Sequence, residues 1–426
     1  MASFSFGAGN ARKIASIPLY ALGRLATVLI PRRRDSWVFG CAAGIADGAL
    51  ALWHVAAAGG HPAVWLVGTP REARDAAARG IPHVAKNSWR GFWLTARASV
   101  VVVTHGFGDV NRYAVSDAFV VQLWHGIPLK RIGLDSSETV RSGILPGAAA
   151  MRVALTAMYR AAARRISVLP AASHLVRGRL ESAFGLPDER VPVTGEPRVD
   201  VLSQGDAATR RSAARAAIAA AAGPADDGDR LVLYAPTWRD GAADPAVPSA
   251  QEWGTLVDVL HRRRAVLLVR SHPLGAGDYA PPFATERVMS LGSDLVPDVT
   301  PLLPGVDVLV TDYSSLAFDS ALVPLPVIYL APDVAAYSRT RGLYGSYADV
   351  AGDDWAVDWT GAAAQLDALL GDDAERERRI EAARRLSARV HAFRDGANTA
   401  RVYRAIRAGL DRRHPAHPGA VRKGLR

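Results

Sequence analysis

Four groups of residues in this chain combine types and spacings suited to acid–base and phosphoryl chemistry. The first is Trp124-His125-Gly126-Ile127-Pro128-Leu129-Lys130-Arg131. An apolar run ends at Trp124, a titratable ring follows, Gly126 allows a sharp turn, and Lys130 and Arg131 place two cations nearby. An imidazole at the carboxyl lip of a strand, beside fixed positive charge, suits proton transfer next to an anionic ligand. The second group is Thr237-Trp238-Arg239-Asp240, the third Arg270-Ser271-His272-Pro273. The fourth is Thr311-Asp312-Tyr313-Ser314-Ser315, with Asp319 one turn further on. Hydroxyls and amides where a strand gives way to a helix favour phosphate, and arginine adds bidentate contacts. His125 therefore reads as a base, and His272 as a donor to a phosphoryl or leaving oxygen. Thr237, Arg239, Arg270, Thr311, Asp312, Ser314, Ser315 and Asp319 read as a diphosphate pocket, with Gly126, Lys130 and Arg131 on the histidine's side of a cleft. A second His-Gly pair, His105-Gly106, reads as a turn histidine at the cleft edge.

The elements that must position these residues follow from the hydropathy pattern. From Ser36 onward, short apolar runs alternate with helical stretches: Trp37–Gly40, Ala63–Val67, Ser99–Thr104 and the run into Trp124. The pattern restarts with Arg230–Ala235, Ala265–Val269, Val306–Val310 and Pro326–Leu330. Strands alternating with helices make mostly parallel, doubly wound sheets, whose ligands sit beyond the strands' carboxyl ends. The fold class expected is α/β, with two Rossmann-like domains facing across a cleft. A change in composition after Asp200 places the boundary, giving a first domain over residues 35–204 and a second over 205–410. Residues 1–34 carry spaced leucines and isoleucines with Arg24 and Arg32-Arg33-Arg34, and residues 411–426 form a basic, Pro-bearing tail read as disordered. The leading segment reads as an amphipathic helix on an anionic membrane surface, an ordinary packing helix being the alternative.

The chain has 426 residues, 49% hydrophobic and 22% charged, which describes a globular protein of about two domains. A single cysteine, Cys41, excludes an intrachain disulfide framework and suits a reducing cytoplasm. The formal charge of +10 asks for an anionic partner. Basic residues are scattered, without aromatic-studded strands, so nucleic acid is not expected. The Gly40–Gly48 loop does not fit G-x-G-x-x-G, and no Walker lysine loop, His-Glu-x-x-His or Gly-x-Ser-x-Gly occurs. Asp312, Asp319 and Asp333 make no recognisable metal cage, so no metal site and no tightly bound cofactor are expected; the spacing leaves a requirement for a soluble divalent ion open.

In these motifs the chain resembles the CDP-glycerol glycerophosphotransferase family, the teichoic-acid primases and polymerases. The resemblance rests on residues 122–133, Gly195-Glu196-Pro197-Arg198-Val199-Asp200, residues 234–240, residues 270–273 and residues 311–315 with Phe318-Asp319. It implies a glycosyltransferase-B architecture and attack by an acceptor hydroxyl on the glycerol-bearing phosphorus of CDP-glycerol, releasing CMP. It also implies a lipid-linked or polymeric polyol-phosphate or saccharide acceptor, met by a peripheral enzyme on the inner face of the membrane. Ile127 and Val199 stand where the family usually has Thr and Asn, departures that bear on the acceptor and on glycerol versus ribitol. The alternative on the same architecture is a nucleotide-sugar glycosyltransferase or epimerase.

Overall fold

A computed structural model describes residues 17–136, 149–226, 228–237, 244–270 and 279–413. Two parallel sheets organise it. The first contains β1 (Arg33–Phe39), β2 (Ala63–Val67), β3 (His83–Ala85), β4 (Ala98–Val103), β5 (Phe119–Gln122) and β6 (Ile166–Val168), in the order β3-β2-β1-β4-β5-β6. The second contains β7 (Arg230–Ala235), β8 (Ala265–Val269), β9 (Val288–Ser290), β10 (Val308–Thr311) and β11 (Val327–Tyr329), in the order β11-β10-β7-β8-β9. Strands such as β4 (ASVVVV) and β8 (AVLLV) lack alternation because helices cover both faces of a parallel sheet. In each sheet the first strand sits between its second and fourth, so the chain reverses direction at β1/β4 and again at β7/β10. Those switch points open crevices at the carboxyl ends of the strands.

Two short strands, β3 and β9, escape the sequence reading because three residues carry too little periodicity. The last helix, Asn398–Arg413, departs from the expected boundaries in two ways. It leaves the second sheet and returns to the first, where Val402 and Ile406 join the core of Trp37, Phe39 and Trp65. It also continues through residues 411–413, while the rest of the expected tail lies outside the described residues. Asp200 holds the start of this helix, accepting from the amides of Asn398 (2.9 Å) and Thr399 (2.7 Å) and from the Thr399 hydroxyl (2.7 Å). Gly195 has φ +76°, and a Cβ there would lie 2.1 Å from Asn398 Oδ1, so the strand-to-helix return requires glycine.

Ile17–Leu29 forms a helix, with residues 1–16 outside the description. Its Gly23 lies against Tyr113, and Tyr20 packs edge-on against the same ring at 4.8 Å. The opposite face leaves Leu22 (61%), Val28 (68%) and Leu29 (76%) in solvent. Among the described residues no helix is long and apolar enough to cross a membrane.

Candidate active site at the lobe junction

The ends of β4 and β5 are locked together. Asp109 Oδ2 accepts from the amides of Thr104 (2.9 Å), His105 (2.8 Å) and Gly106 (3.3 Å), which shapes the turn after β4. Gln122 donates to the Thr104 carbonyl at 2.8 Å, pinning β5 beside it. Val103 pairs with Gln122, so the residues just beyond each strand meet. The rings of His105 and His125 consequently stack at 4.1 Å and 3°. Sequence reasoning set His105 aside as a turn residue; the register of adjacent parallel strands is the signal that joins the two histidines.

The turn that carries His125 is tightly constrained. Trp124 has φ +64°, rare for a bulky residue, and its ring packs edge-on against Phe184 at 5.2 Å. Backbone held in this region is over-determined by its surroundings, as at many functional sites. Burial holds His125 well below the usual imidazole range, and the neighbouring His105 pushes the same way. His105 itself is lowered to about 4, chiefly by burial. Both rings are therefore neutral near pH 7, and a neutral imidazole can accept a proton. Among the described residues His125 Nδ1 is buried without a hydrogen-bond partner, an orphaned polar atom of the kind that marks functional sites.

Gly126 brings this turn onto the second lobe. Its φ is +130°, and a Cβ would meet Ser315 Oγ at 2.8 Å. Only glycine permits this approach. Ser315 and Ser314 follow β10, and Ser314 Oγ accepts from the Leu316 amide at 3.2 Å. Beyond Gly126, Arg131 donates its amide to the Gly342 carbonyl (3.1 Å), Tyr344 donates to the Leu129 carbonyl (2.9 Å), and Lys130 bridges to Leu343. Arg131 also borders a cavity of about 620 Å³ with Arg339, Arg341 and Ser346.

Several residues expected to hold phosphate have other work. Thr311 donates to the Ala235 carbonyl at 2.7 Å, and Asp312 Oδ1 accepts from the amides of Thr237 (2.8 Å) and Tyr313 (2.6 Å). These buried groups fasten the ends of β7 and β10 together. Arg270 donates to the carbonyls of Leu291 (3.3 Å), Val296 (2.7 Å) and Pro297 (3.2 Å), which shapes the loop after β9. Asp319 is fully buried and paired across the lobe junction with Arg198 at 2.6 Å. Arg239 and His272 lie outside the described residues.

Arg198 is the junction residue that sequence reasoning quoted without a role. From the first lobe it reaches Asp319 and Thr300 (3.2 Å) in the second and Asp47 (3.2 Å) in its own. Asp298 of the second lobe accepts from the Asp47 amide at 3.2 Å. Glu196, two residues before Arg198, is buried and its carboxyl is pushed up to about 8 by burial, with Arg198 opposing. An acid and an arginine flanking a proline in an otherwise apolar stretch was the available signal. Beside this cluster the lobes enclose a cavity of about 1520 Å³, bordered by Ile45, Arg71, Arg74, Arg198 and Pro297. Neither His125 nor Ser315 borders it; there the lobes meet through Gly126 and Ser315.

The family profile described as CDP-Glycerol:Poly(glycerophosphate) glycerophosphotransferase matches residues 38–408. The chain is 29% identical over 279 residues to the teichoic acid glycerol-phosphate transferase of Staphylococcus aureus, covering 63% of this chain and 66% of that protein. It is 26% identical over 274 residues to the teichoic acid poly(glycerol phosphate) polymerase of Bacillus subtilis, covering 62% of this chain but 34% of the polymerase. The matched region thus spans just under two thirds of the transferase and about a third of the polymerase. A solved structure of the wall teichoic acid polymerase TagF superposes with TM-score 0.75 at 20% identity, over 95% of this chain and 97% of that one. A UDP-N-acetylglucosamine 2-epimerase from Listeria monocytogenes gives TM-score 0.50 at 13% identity, over 89% and 98% of the two chains, which places the fold among glycosyltransferase-B-like architectures. With its profile spanning both sheets and the junction between them, this chain belongs to the CDP-glycerol:poly(glycerophosphate) glycerophosphotransferase family.

Proposed function

We propose that the protein transfers glycerol phosphate, or a related polyol phosphate, from CDP-glycerol to an acceptor hydroxyl and releases CMP. The observation that carries this reading is the neutral His125, stacked on His105 at the end of β5, with the next residue, Gly126, packed against Ser315 of the second lobe. In the proposed step His125 accepts the proton of the acceptor hydroxyl. The hydroxyl oxygen forms a bond to the glycerol-bearing phosphorus, and the P–O bond to the CMP phosphate breaks, its electron pair leaving with CMP. Ser314 and Ser315, together with Arg239 and His272, would bind the phosphoryl oxygens and the departing CMP. Lys130 and Arg131, on the segment that leaves His125 and pairs with Gly342 and Leu343, would face a polyanionic acceptor.

The proposed acceptor is a lipid-linked or polymeric polyol phosphate in teichoic-acid-like or capsular polymer synthesis, met at the cytoplasmic face of the membrane. The exposed apolar face of Ile17–Leu29 supports peripheral attachment there. Incubation with CDP-glycerol, CDP-ribitol and UDP-sugars tests the assignment. CMP release from a CDP-alcohol with growth of a lipid-linked primer is expected; turnover of a UDP-sugar alone would replace this reading with that of a glycosyltransferase or epimerase.

A further inference from the structure

At the amino ends of β5 and β6, on the sheet edge opposite His125, the first lobe holds a separate cavity of about 510 Å³. Arg164, Arg165, Arg190, Arg412 and Arg413 border it, together with Ser167. Among the described residues none of these five guanidinium groups forms an ion pair with a carboxylate. The nearby Asp188 is paired elsewhere, with Arg177 at 2.5 Å. Arg190 donates to the carbonyls of Arg164 (2.6 Å) and Ile166 (3.0 Å), and Arg413 to that of Asp117 (2.9 Å), contacts that orient the groups without neutralising them. Asp117 and Glu189 also border the cavity, fewer carboxylates than guanidinium groups. A sixth cation, Arg32, lies close by, donating to the carbonyls of Thr95 (3.2 Å) and Ala114 (3.4 Å). Ser167 Oγ accepts from the Val120 amide at 3.2 Å, leaving its own proton to be donated.

Such a crowd of like charges is costly without an anion, and planar guanidinium groups match phosphate oxygens in bidentate pairs. We propose that this cavity is a phosphate-binding site, distinct from the catalytic junction and built to take the phosphate of a mono- or diester. Its position points to its use. Tyr20 and Gly23 of the helix Ile17–Leu29 pack on Tyr113, two residues before Val115 at the cavity rim, so the cavity lies beside the helix whose leucines face solvent. A phosphate held by the arginines and acyl chains lying along Leu22, Val28 and Leu29 would be the two ends of one anionic lipid. The lipid source rests on the peripheral attachment proposed above; the phosphate site does not.

The 426-residue wild type, R165E/R412E and the milder R165Q/R412Q are titrated calorimetrically with inorganic phosphate. The same proteins are sedimented with phosphatidylcholine vesicles lacking or containing phosphatidylglycerol. The charge-reversed variant should lose one phosphate site, or bind phosphatidylglycerol vesicles at least about ten-fold more weakly, and the glutamine variant should move in the same direction. Loss confined to free phosphate, with no vesicle binding by any protein, keeps the site and refutes lipid as its source. Loss confined to vesicles identifies the headgroup as the ligand. Equal behaviour of wild type and both variants, or no binding of either probe by wild type, overturns the site. CMP release from CDP-glycerol in solution is read separately, so failure of the transferase reading is distinguishable.

Discussion

Arg198→Met removes the charge at the lobe junction while keeping a side chain of comparable reach. Arg198 contacts Asp319 at 2.6 Å and Asp47 at 3.2 Å, with side-chain exposures of 11%, 1% and 10% for the three residues. At an effective dielectric of about 20, an ion pair with charges ~4 Å apart attracts by ~4 kcal/mol. Truncating one member of such a buried set leaves uncompensated carboxylates and costs about 3–5 kcal/mol. Glu196, pushed up to about 8 by burial, is largely protonated near pH 7 and adds little negative charge, so Asp47 and Asp319, the two carboxylates in contact with Arg198, are the partners left behind. Urea unfolding of wild type, R198M, D319N and R198M/D319N forms the test cycle. R198M should unfold at markedly lower urea, and D319N should rescue it partly, giving a coupling energy above about 1 kcal/mol. If the two substitutions add within ~0.5 kcal/mol, Arg198 is not an ionic clamp between the lobes and the reasoning fails.

His105→Ala removes the ring stacked on His125 and part of its burial, so the imidazole should return toward its ordinary range. The acid limb of the kcat/KM profile should then shift to higher pH; an unmoved limb would mean that His105 does not tune His125. Glu196 has a folded-state value near 8 against an unfolded value of about 4.3, so its contribution to stability is present below that unfolded value and is lost as pH rises to about 8. E196Q should lack this decline and match or exceed wild type at alkaline pH, as measured by thermal midpoint; parallel curves for the two proteins would refute the assignment. Leu22→Asp with Leu25→Asp, on the exposed face of Ile17–Leu29, should release the protein from anionic vesicles with little change in thermal midpoint. Undiminished sedimentation would return that helix to a packing role.

Strand–helix alternation made the two-sheet architecture legible, because a parallel sheet covered on both faces leaves long apolar runs such as Val100–Val103. His125, Ser314 and Ser315 do follow the ends of those runs, a few residues beyond β5 and β10. What the pattern could not supply was direction. Thr311, Asp312 and Arg270 sit at strand ends as expected, yet their side chains satisfy buried backbone amides and carbonyls left by the turns. Whether a polar group faces ligand or backbone depends on three-dimensional closure, and spacing carries no trace of it. The pairing of His105 with His125 depends on strand register, and the Arg198–Asp319 contact on docking of lobes 121 positions apart in sequence. The return of Asn398–Arg413 to the first sheet is a long-range packing choice, readable in hindsight from Asp200 as its cap.

The most direct test of the central claim is turnover by His125→Ala. Loss of a positioned base costs about 10²–10⁴-fold in rate. CMP release from CDP-glycerol should fall by that factor, while equilibrium binding of the donor stays within a few-fold of wild type. Turnover within about ten-fold of wild type would show that the imidazole at the lobe junction is not the base.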